Sequence, residues 1–217
     1  MILWGATGQA RVLRECMSDY DLVALFDEIP ALTSPFPDVP LTGGRAAFES
    51  WLSTRTSPAP GFLVAIGGQH GRVRLEIQER LVGAGLKALV ALHRTAFVAQ
   101  SATISAGSQV LAQTAICVDV QMGRGCVVNT GATVDHECVL GDGVHVAPGA
   151  HIAGCVRLDD FVTVFTGASV GPKVHVGEGA VIGAGAVVLE NVPAYAFYAG
   201  NPGRIIKKLH GYGARDE

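Results

Sequence analysis

Aromatic residues make up only 6% of the 217-residue chain and charged residues only 16%, against 49% hydrophobic ones. Such a chain has too much to bury and too little charge to stay unfolded. It has no cluster of Lys or Arg, and its formal net charge is −3. Nucleic acid and anionic membrane are thereby excluded as main partners. No apolar run is long enough to span a bilayer, and Met1 to Trp4 lead straight into a glycine turn without the basic segment that opens a secretory signal. A cytoplasmic protein acting on small molecules is expected. The five cysteines, Cys16, Cys117, Cys126, Cys138 and Cys155, form no Cys-x-x-Cys pair. Neither a disulfide framework nor a zinc site is indicated, and they read as reduced core residues.

What the sequence does hold is a repeat. From Val98 to Val188 every sixth residue is a medium-sized aliphatic or, once, Met122: Val98, Ile104, Val110, Ile116 and so on without a missed step. Sixteen such hits in one phase would arise by chance about once in 10⁵. Two residues earlier stands a small or β-branched residue, such as Ala102, Thr114, Cys126, Ala132, Cys138 or Ala150. A period of six is not helical. It suits a solenoid of short strands with the aliphatic inside and the small residue near a tight corner. Gly107, Gly125, Gly131, Gly143, Gly149, Gly167, Gly179 and Gly185 supply turns that need positive φ. The pattern resembles the hexapeptide-repeat, left-handed parallel β-helix of bacterial acyltransferases, in which three hexads make one coil. About five coils are implied.

The first ninety residues are different. Ile2-Leu3-Trp4 reads as a buried strand, followed by Gly5-Ala6-Thr7-Gly8-Gln9 and a helical pattern through Val12, Leu13 and Cys16. A strand, a glycine turn and a helix N-terminus can hold an anion such as phosphate, although the full Gly-x-Gly-x-x-Gly fingerprint is absent. A strand over 22–26 ends in Asp27-Glu28, about twenty residues past the turn, where a doubly wound fold brings a carboxylate to a ribose or base. A third run over 62–66 is closed by Gly67-Gly68, residues 71–83 read as an amphipathic helix, and 86–92 as a last strand. Residues 30–60 read as loops around one helix at 44–52. The expected division is a Rossmann-like α/β domain of about four parallel strands at 1–93, the all-β solenoid at 94–192 and a C-terminal tail at 193–217.

Outward positions of the hexads are mostly Gly, Ser, Thr, Asp or Ala, so Asn129, Asp135-His136-Glu137 and His145 stand out. His136 falls two residues after an inward aliphatic and should project from a corner. Acyl transfer from a thioester to an amine needs a base and a group that orients it, which a histidine beside a carboxylate supplies.

The run Asn129-Thr130-Gly131-Ala132-Thr133-Val134-Asp135-His136-Glu137-Cys138, preceded by a glycine-turn α/β domain, resembles the sugar O- and N-acetyltransferases of the sialic-acid and bacillosamine-pathway type. That resemblance implies His136 as general base polarised by Glu137. It implies acetyl-coenzyme A contacts at His145, Gly154, Thr166 and Ala184, and Asn129 close to the same centre. It implies a nucleotide-sugar site at Thr7, Gly8, Gln9, Asp27, Glu28 and Gly67. The family usually has His where this chain has Gln9, which can hydrogen-bond but cannot carry a proton. A homotrimer with coenzyme sites between neighbouring helices and no metal is expected by the same analogy.

The expected reaction is acetyl transfer to the amino group of a nucleotide-linked 4-amino-4,6-dideoxy sugar. Three rivals stay open on sequence alone. One is O-acetylation of a free sugar such as sialic acid, and another a non-catalytic β-helix scaffold. The third is a carbonic-anhydrase-like zinc enzyme using His136, His145 and His151, which the setting of Asn129 and His136-Glu137 fits less well than acyl transfer.

Overall fold

The structure, a computed structural model, describes residues 1–55 and 58–209. Ile2–Trp4 (β1), Ala24–Asp27 (β2), Leu41–Gly43 (β3), Gly61–Val64 (β4) and Lys87–Ala88 (β5) form one parallel sheet in the order β3-β2-β1-β4-β5. β1 and β2 are buried throughout and β4 at three of its four residues, which is why they read as unbroken apolar runs. Leu3, Leu25 and Leu63 pack on one face against Ala10 and Leu13 of helix α1 (Gly8–Cys16). Ile2, Trp4, Phe26 and Phe62 pack on the other against Phe48 of α2 (Gly44–Ser53) and Ile77 and Leu81 of α3 (Gly71–Gly83).

Two sequence expectations are corrected here. The sheet has five strands, because the half-exposed edge strand β3 lies in the Pro- and Ser-rich stretch, where three residues leave no periodic signal. The single strand expected over 86–92 is two: β5 joins the α/β sheet, whereas Ala91–Leu92 (β6) pairs with Gln109–Val110 of the solenoid.

The hexads build sixteen two-residue strands, β7 (Phe97–Val98) to β22 (Val187–Val188), each ending on its repeat aliphatic. They stack in register eighteen residues apart into three parallel sheets, a left-handed parallel β-helix. The first face holds the strands beginning at Phe97, Ala115, Thr133, His151, Ser169 and Val187. The second face holds those at Thr103, Gln121, Val139, Arg157 and His175, and the third those at Ala91, Gln109, Val127, His145, Thr163 and Val181. Inside, the aliphatics from Val110 to Val188 and the small residues two positions before them form one continuous buried column. Residues 196–208 prolong the third face as an antiparallel pair, Ala196–Gly200 (β23) and Gly203–Lys208 (β24). The rest of the expected tail, 210–217, lies outside the described residues. Among the described residues no helix is long and apolar enough to cross a membrane.

The α/β unit sits on the third face. Ala91, Leu111 and Val127 join the core beneath α1, and the outward side chains of Gln109, Val127, His145 and Thr163 are buried. Arg74 of α3 fastens the joint. Its guanidinium donates to the carbonyls of Gly125 (2.9 Å) and Gly143 (2.8 Å) on two successive coils and to Ile66 (3.2 Å) in the loop after β4.

Candidate functional site

From residue 107 to 185 each corner turn of the solenoid has one residue with positive φ, and these recur every six positions. At the second-to-third and third-to-first corners that residue is one of the eight predicted glycines, with Gln113 and Phe161 as exceptions. The first-to-second corner has no glycine there in four successive coils: Asp119, Glu137, Cys155 and Lys173 take φ of 58°, 58°, 59° and 62°. Side chains rarely adopt this conformation, so this edge of the prism holds strained residues in a row.

His136 projects from this corner, as the sequence predicts. Its backbone N–H donates to Asp135 Oδ1 at 2.7 Å, and its Nδ1 lies 2.9 Å from Glu137 Oε2. A carboxylate only accepts, so Nδ1 holds the ring proton and Nε2 keeps a free lone pair. The side chain is 47% exposed, open enough for a reacting group to reach it. Gly154 lies against the ring one coil further on, and a β-carbon there would come within 2.4 Å of His136 Nε2. The thiol of Cys155 points at Glu137 Oε2 from 3.8 Å.

The predicted nucleotide-site residues gather at the carboxyl ends of the parallel strands. In the order β3-β2-β1-β4-β5 the chain switches direction between β1 and β4, which opens a crevice there. Thr7, Gly8 and Gln9 start α1 on one side of it and Gly67 follows β4 on the other. Thr7 and Gly8 are exposed, and nothing stands within 4 Å of a β-carbon built on Gly8. Asp27 has a structural task in this arrangement: its two oxygens accept the N–H groups of Ala6 (2.7 Å) and Ile29 (2.9 Å), which fixes the glycine turn. Glu28 stands at its rim, paired with Arg80 at 3.6 Å. Gln9 reaches across to the solenoid, donating to Gln109 Oε1 at 2.7 Å, and Gln109 donates in turn to the Val64 carbonyl at 2.8 Å.

His145 lies apart from His136 of the same chain. It lies on the third face beneath the α/β unit, 4% exposed, with its Cε1 4.0 Å from a β-carbon built on Gly67. It is grouped with Gln9 and the crevice rather than with His136. Burial, with the nearby charge of Arg74, pulls its pKa down to about 4, so it is neutral at pH 7.

The first face is an open groove of about 590 Å³ lined by Thr133, Asp135, His151, Ser169 and Leu189 among others. The His136 corner forms one edge. Thr166 and Ala184, both exposed, lie along the third-to-first corner at its other edge, as does Asn129, whose side chain accepts the Thr130 N–H at 2.8 Å. One chain therefore brings His136, Glu137 and Gly154 together at one edge, Asn129, Thr166 and Ala184 at another, and the glycine turn after β1 on the face opposite His136.

Sequence reasoning missed Arg74 and Gln109. Arg74 shares the apolar stripe of its helix with Gln78 and Leu81, and a charge on that stripe was the available signal.

No model of a protein family matches the chain. A curated GDP-perosamine N-acetyltransferase of Escherichia coli O157:H7 is 30% identical over 209 residues, 91% of this chain and 88% of that protein. Among solved structures, PerB of Caulobacter crescentus, in complex with CoA and GDP-perosamine, has a TM-score of 0.86 at 30% identity, covering 95% of this chain and 96% of that one. The acetyltransferase domain of PglB from Neisseria gonorrhoeae, in complex with acetyl coenzyme A, has a TM-score of 0.83 at 30% identity, covering 94% and 98%.

Proposed function

Since the chain belongs to the hexapeptide-repeat sugar N-acetyltransferases, the family of those relatives, we propose that it transfers acetyl from acetyl-coenzyme A to the amino group of a nucleotide-linked 4-amino-4,6-dideoxy sugar. GDP-perosamine is the first candidate. The observation that carries this reading is the 2.9 Å contact between His136 Nδ1 and Glu137 Oε2, which leaves Nε2 as an exposed base.

The sugar ammonium first loses one proton to solvent, since only the free amine has a lone pair. The amine nitrogen attacks the thioester carbonyl carbon while His136 Nε2 accepts its second proton. Glu137 stabilises the imidazolium through the Nδ1 hydrogen bond, and a backbone N–H of the coils stabilises the oxyanion. Collapse of the tetrahedral intermediate breaks the carbon–sulfur bond, and the leaving thiolate takes the proton back from the imidazolium. Coenzyme A lies in the first-face groove between the His136 corner and Thr166 and Ala184.

The crevice between β1 and β4 holds the nucleotide, with Gly8 and Gly67 admitting it closely and Glu28 at the rim. It sits over the third face, and the His136 corner is the one that face does not border. A homotrimer resolves this: the crevice of one chain faces the His136 corner of its neighbour, so that each site is built by two chains. O-acetylation of a free sugar leaves this crevice without a use, and the Escherichia coli relative that matches 91% of the chain is named for N-acetyl transfer.

The test is coenzyme A release from acetyl-coenzyme A with GDP-, UDP- and dTDP-linked 4-amino sugars beside free sialic acid, for wild type and His136→Ala. Turnover with an amino-sugar nucleotide that is lost in the variant is expected. Turnover with sialic acid alone would overturn the reading.

A further inference from the structure

The glycine-free corner carries more than an acid–base pair. A ring nitrogen of His136, a carboxylate oxygen of Glu137 and Cys155 Sγ all lie within 4.8 Å of one another, with Nδ1–Oε2 at 2.9 Å and Sγ–Oε2 at 3.8 Å. We propose that these three side chains form a binding site for Zn²⁺, and that the bound ion switches acetyl transfer off. The inhibition rests on His136 being the base; the binding does not.

The geometry is close to what zinc requires. With metal–ligand bonds of about 2.0–2.3 Å, a tetrahedral site sets its ligand atoms roughly 3.3–3.7 Å apart. The Nδ1–Oε2 and Sγ–Oε2 separations reach this by side-chain adjustments of under about 1 Å. The backbone beneath is already set: Glu137 and Cys155 hold the same turn position one coil apart, at φ 58° and 59°. Coil-to-coil hydrogen bonds pin both, from Glu137 N–H to the Val118 carbonyl and from Cys155 N–H to the His136 carbonyl, each 2.9 Å. A mixed imidazole, carboxylate and thiolate set suits Zn²⁺ or Co²⁺ and disfavours Mg²⁺ and Ca²⁺, which prefer oxygen alone. Three protein ligands leave a fourth position for water, and the exposed corner admits it.

Binding and catalysis compete for one ring. To bind zinc through Nδ1, the imidazole must move its proton from Nδ1 to Nε2, and the Cys155 thiol must release its own to solvent. Nε2 then carries N–H and has no lone pair to accept the amine proton. Glu137, now a metal ligand, no longer supports an imidazolium.

The test uses the full-length protein. Zn²⁺ affinity is measured by competition with a chromophoric chelator, and Co²⁺ is titrated while the thiolate-to-cobalt charge-transfer absorption is followed, for wild type and Cys155→Ser. Coenzyme A release is measured in zinc buffers with and without EDTA. The expected result is one ion per chain, a thiolate band in wild type only, an affinity at least about tenfold weaker in Cys155→Ser, and inhibition that EDTA reverses. Absence of the thiolate band in wild type, or equal zinc inhibition of wild type and Cys155→Ser, would overturn the site. A bound ion with the band but undiminished turnover would overturn the switch, and would count against His136 as base while leaving the ligand set intact.

Discussion

A β-carbon on residue 154 would come within 2.4 Å of Nε2 of His136, so Gly154 is the floor on which the ring proposed as the base rests. Its φ is not in the left-handed region, and the glycine is required by contact alone. Gly154→Ala must push the imidazole off its position. Misplacement by about 1 Å costs roughly 10²-fold in rate, and kcat is expected to fall by that order with KM for acetyl-coenzyme A changed far less. Steady-state kinetics, with an unfolding curve to show that the coils stay intact, check this.

Glu137 stands at φ 58° in a turn that the other two corners mostly build from glycine. The left-handed conformation costs a residue with a side chain about 1–2 kcal/mol, whereas glycine gives up about 1 kcal/mol through its freer unfolded state. Glu137→Gly is therefore expected to be at least as stable as wild type in urea, while acetyl transfer drops tenfold or more because the imidazolium loses its partner. A variant both less stable and fully active would contradict the assignment.

His145 predicts a pH dependence of stability. Its pKa is lowered to about 4 in the folded protein by burial and by Arg74, against about 6.5 unfolded. Above pH 6.5 both states are neutral and no penalty exists. As pH falls from 6.5 to 4 the unfolded state gains the proton first, so stability falls by about 3 kcal/mol, and below pH 4 the loss levels off. His145→Gln should flatten this segment of a stability–pH profile by about that amount.

Arg74 joins two units through backbone carbonyls on both. Burial lowers its pKa to about 10, which still leaves it charged at pH 7. Arg74→Ala leaves these carbonyls buried and unpaired, at about 1 kcal/mol or more each. A loss of about 3 kcal/mol or more in unfolding free energy is expected. The loop carrying Gly67 loses its tie as well, so KM for the nucleotide sugar should rise more than KM for acetyl-coenzyme A.

How much of this was legible depended on the physical signal each feature leaves in a sequence. Sixteen hexads are a periodic pattern, and each strand from Val98 to Val188 follows from it. Residues at the ends of β1, β2 and β4 were readable because apolar runs closed by glycine or an acidic pair mark the crevice edge. The corner position of His136 was readable because it falls two residues after an inward aliphatic. Gln109 and His145 were not, since an outward position is exposed or buried according to what covers its face, and hexad spacing is silent on that. Val127 and Val181, outward-facing yet apolar and buried on the same face, were the hint. The tie between Glu137 and Cys155 needed the register: only when eighteen residues make one coil do these two become neighbours.

The account turns on a base and a nucleotide crevice supplied by different chains, and subunit complementation tests that most directly. His136→Ala, which lacks the base, and Gly67→Leu, which fills the crevice beside Gln9, are co-expressed with different tags and the doubly tagged oligomers isolated. Each variant alone is expected to be inactive. With random assembly at equal amounts, one in four interfaces pairs an intact base with an intact crevice, so the unfractionated mixture should recover about a quarter of wild-type turnover, and the doubly tagged fraction more. No recovery in mixed oligomers would mean that base and crevice must come from the same chain, and would contradict the account.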